Sequence, residues 1–551
     1  MKYLYKIKTL ALSFVVLVFA GCENFLDIND DPNNPLKVST AQLITAAQTN
    51  LAYTFANGGS GLGRYTGTIT KHWVQRGQLN DYGLEGTDFS VVVSWASLYT
   101  GAMTDLQVAI EQGLEEEDFG SVGAAQIMRA YIMSSMVDFW GDVPYFEIGQ
   151  GSALEAPAFD NGADIYADLF ILLDAGIENL KSNNAKVNGD AIYGGSAAKW
   201  ITLANSLKLR MLNNIRLTRD VSSEVNAVLT AGVINDIADD FQMTYGSSLN
   251  PENRNPGFSS EWVAGNGTYI DPFFFETMMG NDTFGHGGLL LAGAGVADPR
   301  IPYYFFNQLP IGSGDGDAEN DCAYCPSDSG TPFLSIYSFS FNIDPKEGFD
   351  QGMSRSLAGL FPVGGRFDDG LGGIASNSST LLEGQVTGPG NTPQRLLDAT
   401  EMAFIRAELA QTNVTAEDAR ALLVEAINAS FAKVNEIANG AGAPAVDGAD
   451  ITTYTDAVLV NYDAAAPEQQ LEIIMVSKWI AQFGNSIISY NDIRRTGYPR
   501  LHNGNTDNLS QTVQTRDFPV SFPYDINNLQ LNSVAPEQRV IATDKVFWDI
   551  N

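Results

Sequence analysis

Residues 196–217 read Ser196-Ala-Ala-Lys-Trp200-Ile-Thr-Leu-Ala-Asn-Ser-Leu-Lys-Leu-Arg210-Met-Leu-Asn-Asn-Ile-Arg-Leu217. Trp200, Leu203, Leu207, Leu209 and Leu212 recur at helical spacing, so the stretch predicts one long helix with a buried face. Upstream, residues 164–180 repeat the pattern with Ile165, Leu169, Leu172, Leu173 and Ile177. Two more helices are predicted ahead of these, over 92–112 (Trp95, Leu98, Tyr99, Met103, Leu106, Ile110) and 122–140 (Ile127, Met128, Tyr131, Ile132, Met136, Phe139). Others follow at 396–411, 416–436 and 467–485. Helices that arrive in neighbouring pairs bury their faces by stacking, which predicts a mainly α chain with a tetratricopeptide-like helical-pair scaffold. Trp95 and Leu98 fit that repeat's opening Trp-x-x-Leu best.

Between about 245 and 395 the texture changes. This block holds 25 of the chain's 53 glycines, with Pro, Asn, Asp and exposed-looking aromatics such as Phe273, Phe274, Phe275, Tyr303 and Tyr304. Glycine at that density breaks long helices, so the block reads as a large loop-rich irregular region on a helical frame. Loops held by a rigid scaffold are where binding groups usually sit.

The 551 residues include 65 Asp and Glu against 31 Lys and Arg, a net charge of −34. Without a basic cluster in the body, the chain lacks the counterion release that drives nucleic-acid binding. With 44% hydrophobic and only 17% charged residues it should bury a sizeable core. The one basic cluster is N-terminal: Lys2, Lys6 and Lys8 precede an apolar run over 10–19 and then Phe19-Ala20-Gly21-Cys22. That order predicts an export signal over 1–21, and the small residues before Cys22 resemble a bacterial lipobox, in which Cys22 becomes the diacylated first residue. Removing three lysines and no acid makes the mature charge 28 − 65 = −37. No later segment is apolar enough to span a bilayer, so attachment would be through lipid. The acidic start after Cys22 looks like the surface-export signals of some Gram-negative lipoproteins.

Catalytic candidates are few. His72, His286 and His502 stand singly, there is no zinc-binding His-Glu-x-x-His, and no Gly-x-Ser-x-Gly elbow or phosphate loop is present. A glycosidase carboxylate pair has no sequence signature here, and no pair is preferred. Asp315-Gly-Asp317-Ala-Glu319-Asn-Asp321 alternates oxygen ligands as calcium loops do, but Asn320 takes the turn glycine's place and Pro326 that of the bidentate Glu. It reads as a solvated acidic loop, and neither metal nor cofactor is expected. Cys322-Ala-Tyr324-Cys325 is compatible with a redox pair, half a zinc site or a local disulfide; export favours the disulfide, which would present Tyr324 at a loop tip. Among the tryptophans, Trp95, Trp140, Trp200, Trp479 and Trp548 lie in or beside apolar patterns and are expected in the core. Trp262, in a Gly, Ser and Asn context without apolar periodicity, is the candidate to face solvent, and Trp73, in Lys71-His-Trp-Val-Gln-Arg76 beside Asn80, Asp81 and Tyr82, is intermediate. Sugar rings stack on such planes while their hydroxyls pair with Arg, Asn and Asp side chains.

Several stretches in order carry a resemblance: Phe25-Leu-Asp-Ile-Asn-Asp-Asp-Pro-Asn-Asn-Pro35; Asp138-Phe-Trp-Gly-Asp-Val-Pro-Tyr145; Trp200 to Arg210 above; Asp298-Pro-Arg300; Glu401-Met-Ala-Phe-Ile-Arg-Ala-Glu408; and Tyr490-Asn-Asp-Ile-Arg-Arg-Thr-Gly-Tyr-Pro499, followed by Phe518-Pro and Phe522-Pro-Tyr524. Together, behind a lipobox, they resemble the SusD/RagB family of outer-membrane nutrient-binding lipoproteins. Physically they read as structural devices: Gly141 and Pro144 to end a helix, Arg494 and Arg495 to pair with helix carbonyls or acids.

The resemblance implies an all-helical frame over 22–245 and 396–551 around a ligand-facing insertion at 246–395. It implies a lid-like partner of a TonB-dependent, SusC-like outer-membrane transporter, facing the exterior and capturing an oligosaccharide, or in some relatives a peptide, without converting it. Ligand residues do not carry over by motif. On local grounds Trp262, Tyr324 and Trp73 are the expected stacking planes, with Arg76, Asn80, Asp81 and Tyr82 beside them. A surface glycoside hydrolase is the alternative from another class.

Overall fold

The computed structural model describes residues 38–57, 61–74, 85–150, 154–183, 185–263, 268–280, 295–307, 333, 356–372, 388–501 and 518–551. Its first half is a run of helices: α1 (Thr40–Thr54), α2 (Leu62–Ile69), α3 (Phe89–Ala96), α4 (Thr104–Glu115), α5 (Phe119–Trp140), α6 (Gly162–Leu180), α7 (Ala197–Ile215) and α8 (Ser222–Ala231). A π-helical turn, Ser97–Met103, joins α3 to α4. Side-chain caps fix the starts: Ser39 and Gln42 form a capping box, and Asp118, Asn161 and Ser196 each accept a first-turn N–H. Successive helices pack on one another, α4 on α5, α5 on α6, α6 on α7 and α7 on α8, as the paired apolar faces predict. α5 and α6 approach tightly at two glycines, where a Cβ on Gly123 would lie 2.7 Å from the Gly176 carbonyl oxygen.

The second half contributes α9 (Pro272–Met279), α10 (Ala399–Gln411), α11 (Ala419–Gly440), α12 (Gly448–Ala464), α13 (Pro467–Ala481) and α14 (Ser486–Thr496). Three antiparallel two-stranded ladders tie distant segments together. β1 (Trp73–Val74) pairs with β3 (Tyr269–Ile270), β2 (Phe241–Met243) with β6 (Gln394–Leu397), and β4 (Phe305–Phe306) with β5 (Leu357–Ala358).

Two hydrophobic cores result. The first lies among α1 to α8 and takes in Ile487, Ile488, Tyr490 and the returning tail residues Phe522, Tyr524, Val546 and Trp548. The second lies among α11 to α13 and collects Trp73, Phe258, Trp262, Phe273 to Phe275 and Tyr303 to Phe306. α10 serves both: Met402, Ile405 and Leu409 face the first, while Ala403, Phe404, Ala407 and Ala410 face the second. The exposed-looking aromatics of the glycine-rich block are therefore interior, and Tyr304, Phe305 and Phe306 are wholly buried. Their local sequence shows no period because the elements that carry them are only two to eight residues long.

The charged motif residues meet inside the first core. Asp138 accepts hydrogen bonds from Tyr166 Oη, Trp548 Nε1 (2.8 Å) and Asn491 Nδ2 (2.8 Å). Arg210 makes a two-point pair with Glu401 (2.7 and 2.6 Å) and donates to the Leu396 carbonyl (2.8 Å). Glu408 receives Arg495 at two points (2.9 and 2.7 Å), Arg216 (2.9 Å) and Asn213 (2.9 Å), while Arg495 also reaches Asp492 (2.6 Å). Burial alone would raise the Glu408 pKa, but Arg495, Arg216 and Lys478 outweigh it and hold the carboxyl well below its usual range. Arg494 donates to the Val520 carbonyl (3.0 Å). Gly141 ends α5 at φ 77°, ψ −113°, a conformation that favours glycine.

Candidate functional site

A polar cleft lies where α2, β1 and the turn at 257–261 meet, with Thr268 on its wall. After α2 the chain turns back so that the Trp73 ring lies on Gly67, where any Cβ would overlap the indole. Opposite, the short helix Pro256–Phe258 runs into a second π-helical turn, Ser259–Val263. Such turns spread neighbouring side chains over several directions and recur at functional sites. Here Trp262 points inward while Ser260 and Glu261 line the cleft. Asn57, Arg64, Trp73 and Thr268 complete the polar wall, with Gly257, Ala358 and Val363 on the apolar side, around a narrow recess. Gly257 helps keep that wall back, since its Cβ would lie 2.7 Å from Val363 Cγ1.

Two of the lining groups are buried with hydrogen-bonding capacity left over. Trp73 Nε1 is a donor without a partner, and Asn57 Oδ1 an acceptor without one, because Asn57 spends its Nδ2 on the Gly484 carbonyl. With the Ser260 hydroxyl and the Glu261 carboxylate beside them, the cleft offers both donors and acceptors, as hydroxyl or amide recognition requires. Among the described residues lining it, Glu261 is the one carboxylate and no histidine is present. His72 next door contacts Ser486 Oγ (2.8 Å) and the Trp479 carbonyl (3.0 Å) and stacks on the Trp479 ring (5.3 Å). Burial lowers its pKa to about 3, Arg395 adding to the effect against the Trp479 contact, so it stays neutral as a structural post. Among the described residues no group of three His, Cys, Asp or Glu stands together as metal ligands, and no helix is long and apolar enough to cross a membrane.

The expectation that Trp262 faces solvent is corrected. Its side chain is 0% exposed, donates to the Ala358 carbonyl (2.9 Å) and lies 5.5 Å from the Phe306 ring, so it offers no plane for a ligand to stack on. Trp73, at 2% exposure, is also a core residue, packed on Phe483 at 4.6 Å, though it borders the cleft. Trp95, Trp140, Trp200, Trp479 and Trp548 are all buried as expected. Cys22, Arg76, Asn80, Asp81, Tyr82, Cys322, Tyr324 and Cys325 lie outside the described residues. Sequence reasoning missed Asn57, Arg64, Ser260, Glu261 and Thr268. The one available signal was that Ser260 and Glu261 immediately precede the Trp262 it selected.

A family model described as SusD-like, "Starch-binding associating with outer membrane", matches residues 32–523. Solved structures share the fold. A chitin-binding protein is 20% identical, with 93% of this chain and 100% of that one covered and a TM-score of 0.67. A SusD homologue from Bacteroides fragilis NCTC 9343 is 18% identical over 93% and 99% of the two chains, at 0.66. A SusD-like protein of Bacteroidetes AC2a is 22% identical over 93% and 100%, also at 0.66. No curated protein matches the chain in sequence.

Proposed function

The chain belongs to the SusD-like family, and from that premise we propose that it is a nutrient-binding lipoprotein of the cell surface. In this reading Cys22 carries the lipid that holds the protein at the outer membrane, facing outward. The folded body captures an oligosaccharide without converting it and passes it to a TonB-dependent, SusC-like transporter. The family match across 32–523 carries the reading. The cleft supports it, since the unspent Trp73 donor and Asn57 acceptor that border it suit polar capture.

Titration calorimetry of the soluble domain, with the segment through Cys22 removed, is the test. A panel of neutral oligosaccharides and of peptides should include at least one glycan that binds, with no product released on prolonged incubation. Asn57→Ala should weaken that binding roughly tenfold or more, the loss of one buried hydrogen bond to ligand being worth about 1–3 kcal/mol. Binding of peptides alone would move the protein to a peptide-capturing role. Release of sugar would make it a hydrolase. Incorporation of labelled palmitate into the full chain, abolished by Cys22→Ser, would establish the anchor.

A further inference from the structure

The rings of the two cores go inside, and Phe146 does not. Among the described residues it and Tyr53 are the aromatics left exposed, Phe146 at 53%. Its backbone is nonetheless pinned: Asp160 Oδ2 accepts the N–H groups of both Tyr145 (2.8 Å) and Phe146 (2.9 Å), and Val143 and Asp160 form an antiparallel bridge just before them. Glu147 accepts the Ala158 N–H (2.9 Å). At the far end of the turn Gly149, at φ 85°, sits against α4, where its Cβ would lie 3.5 Å from Gln107 Cγ. The ring is therefore presented to solvent from a fixed frame.

Tyr145, itself buried, joins Phe146 to polar side chains from three helices. Its ring lies 4.9 Å from the Phe146 ring, edge on, and 5.4 Å from Arg129 Cζ of α5. Its hydroxyl donates to Asp168 of α6 (2.6 Å). Arg129 in turn donates to Gln107 Oε1, and Gln107 Nε2 donates to Glu111 (2.7 Å), both on α4. This network, running from Asp168 through Tyr145, Arg129 and Gln107 to Glu111, fixes each side chain through its neighbour, so little rotamer freedom is left to lose on binding. Arg129, Gln107 and Asp168 are half-buried and Glu111 is exposed. A guanidinium with five donors and carboxylates with about four lone-pair positions have capacity beyond the bonds made here.

A pyranose is amphipathic in the matching sense, with C–H bonds on its face and hydroxyls around its rim that both donate and accept. We propose that Phe146, with Arg129, Gln107, Glu111 and Asp168 beside it, is a second glycan site that takes a neutral pyranose residue flat against the ring. Glu111, Glu147 and Asp168 outnumber Arg129, which disfavours an acidic sugar. One ring framed by planar polar groups has the scale of a sugar, whereas a protein partner is gripped by a contiguous apolar patch. The site rests on the reading of this protein as a glycan binder, but it shares no residue with the cleft at Asn57 and Trp73.

The test is titration calorimetry of the soluble domain with neutral hexasaccharides of glucose, N-acetylglucosamine, mannose and xylose, in the wild type and in Phe146→Ala, Phe146→Leu, Phe146→Trp and Asn57→Ala. At this site Phe146→Ala and Phe146→Leu should weaken binding roughly tenfold or more, because the ring's buried area is lost or no longer flat. Phe146→Trp should retain it, and the thermal midpoint of all three should hold because the side chain is exposed. Full affinity in Phe146→Leu would overturn the stacking role. Binding lost in Asn57→Ala but unchanged in Phe146→Ala would remove this site and leave the proposed function standing, whereas the opposite pattern would keep this site and remove the cleft. Glycan binding unchanged in Phe146→Ala, with weaker co-purification of outer-membrane proteins, would make the ring a protein contact and overturn the proposal. Peptide binding with no hexasaccharide bound would overturn it together with the glycan reading.

Discussion

The two cores are held by different chemistry. The first is stitched by ions: Asp138, Arg210, Glu401, Glu408, Asp492 and Arg495 reach across α5, α7, α10 and α14. The second is filled by rings. Phe274 lies 4.8 Å from Trp479 and from Phe483, Tyr304 4.8 Å from Phe361, and Arg300 sits among Phe431, Tyr454 and Tyr304 while paired with Asp298 (2.6 Å). Charged motifs and aromatic-rich loops, the two signals most often read as functional, here both build the interior. The polar groups left without partners at the cleft, Asn57 Oδ1 and Trp73 Nε1, are inconspicuous by comparison.

Removing a member of the ionic stitch should give the largest effect. Arg495→Leu leaves Glu408 and Asp492 buried beside a missing cation, and breaking a buried pair from one side costs about 3–5 kcal/mol. Urea unfolding followed by circular dichroism would measure it. A loss below about 1 kcal/mol would mean that the network is bridged by water and contributes little.

The cores should also separate on a pH axis. Glu408 has a depressed pKa, so its contribution is complete above the ordinary carboxylate value and is lost as pH falls below it. His72 is depressed from 6.5 to about 3; its unfolded form takes up a proton that its folded form refuses, so stability declines as pH falls through that window. The slope is about 1.4 kcal/mol per pH unit for one such group. His72→Gln should flatten the decline between about pH 6.5 and 4.5 and leave the steeper acid limb, where Glu408 titrates. An unchanged profile would show that His72 is hydrated in the folded protein.

Trp262→Phe tests the second core more gently, since it keeps a ring and loses the bond to Ala358. About 1–2 kcal/mol is expected, with ligand affinity unchanged. A specific loss of affinity at full stability would return Trp262 to the ligand site.

What the sequence made legible follows from element length. α5, α6, α7 and α10 to α13 span several turns, and all except α12 showed enough apolar spacing to be read from it. α1 escaped because its buried face mixes Leu43, Ile44 and Leu51 with Thr40, Ala47 and Gln48. α12 escaped because Thr452, Thr453 and Thr455 blur the spacing of Tyr454, Val458 and Tyr462. Trp262 sits on a five-residue turn, too short for any period to declare which way it points. The cleft was not legible at all. It joins positions 57, 64, 73, 257, 260, 261, 268, 358 and 363, which long-range contacts such as the ladder between β1 and β3 bring together.

The smallest expected effect sharpens the contrast between buried and exposed charge. Arg420 on α11 meets Asp463 on α12 at two points (2.7 and 2.8 Å), a geometry as good as that of Arg495 with Glu408. Both side chains stand about half exposed, however, against 1% and 0% for the inner pair. Water and salt screen the outer pair, and holding two long side chains in register has its own entropic cost. Asp463→Asn should therefore leave the unfolding midpoint unchanged within error, while Arg495→Leu at matched hydrogen-bond geometry lowers it steeply. If both variants fell together, geometry rather than burial would govern these ion pairs, and the distinction between an ion-stitched first core and a ring-filled second one would lose its energetic meaning.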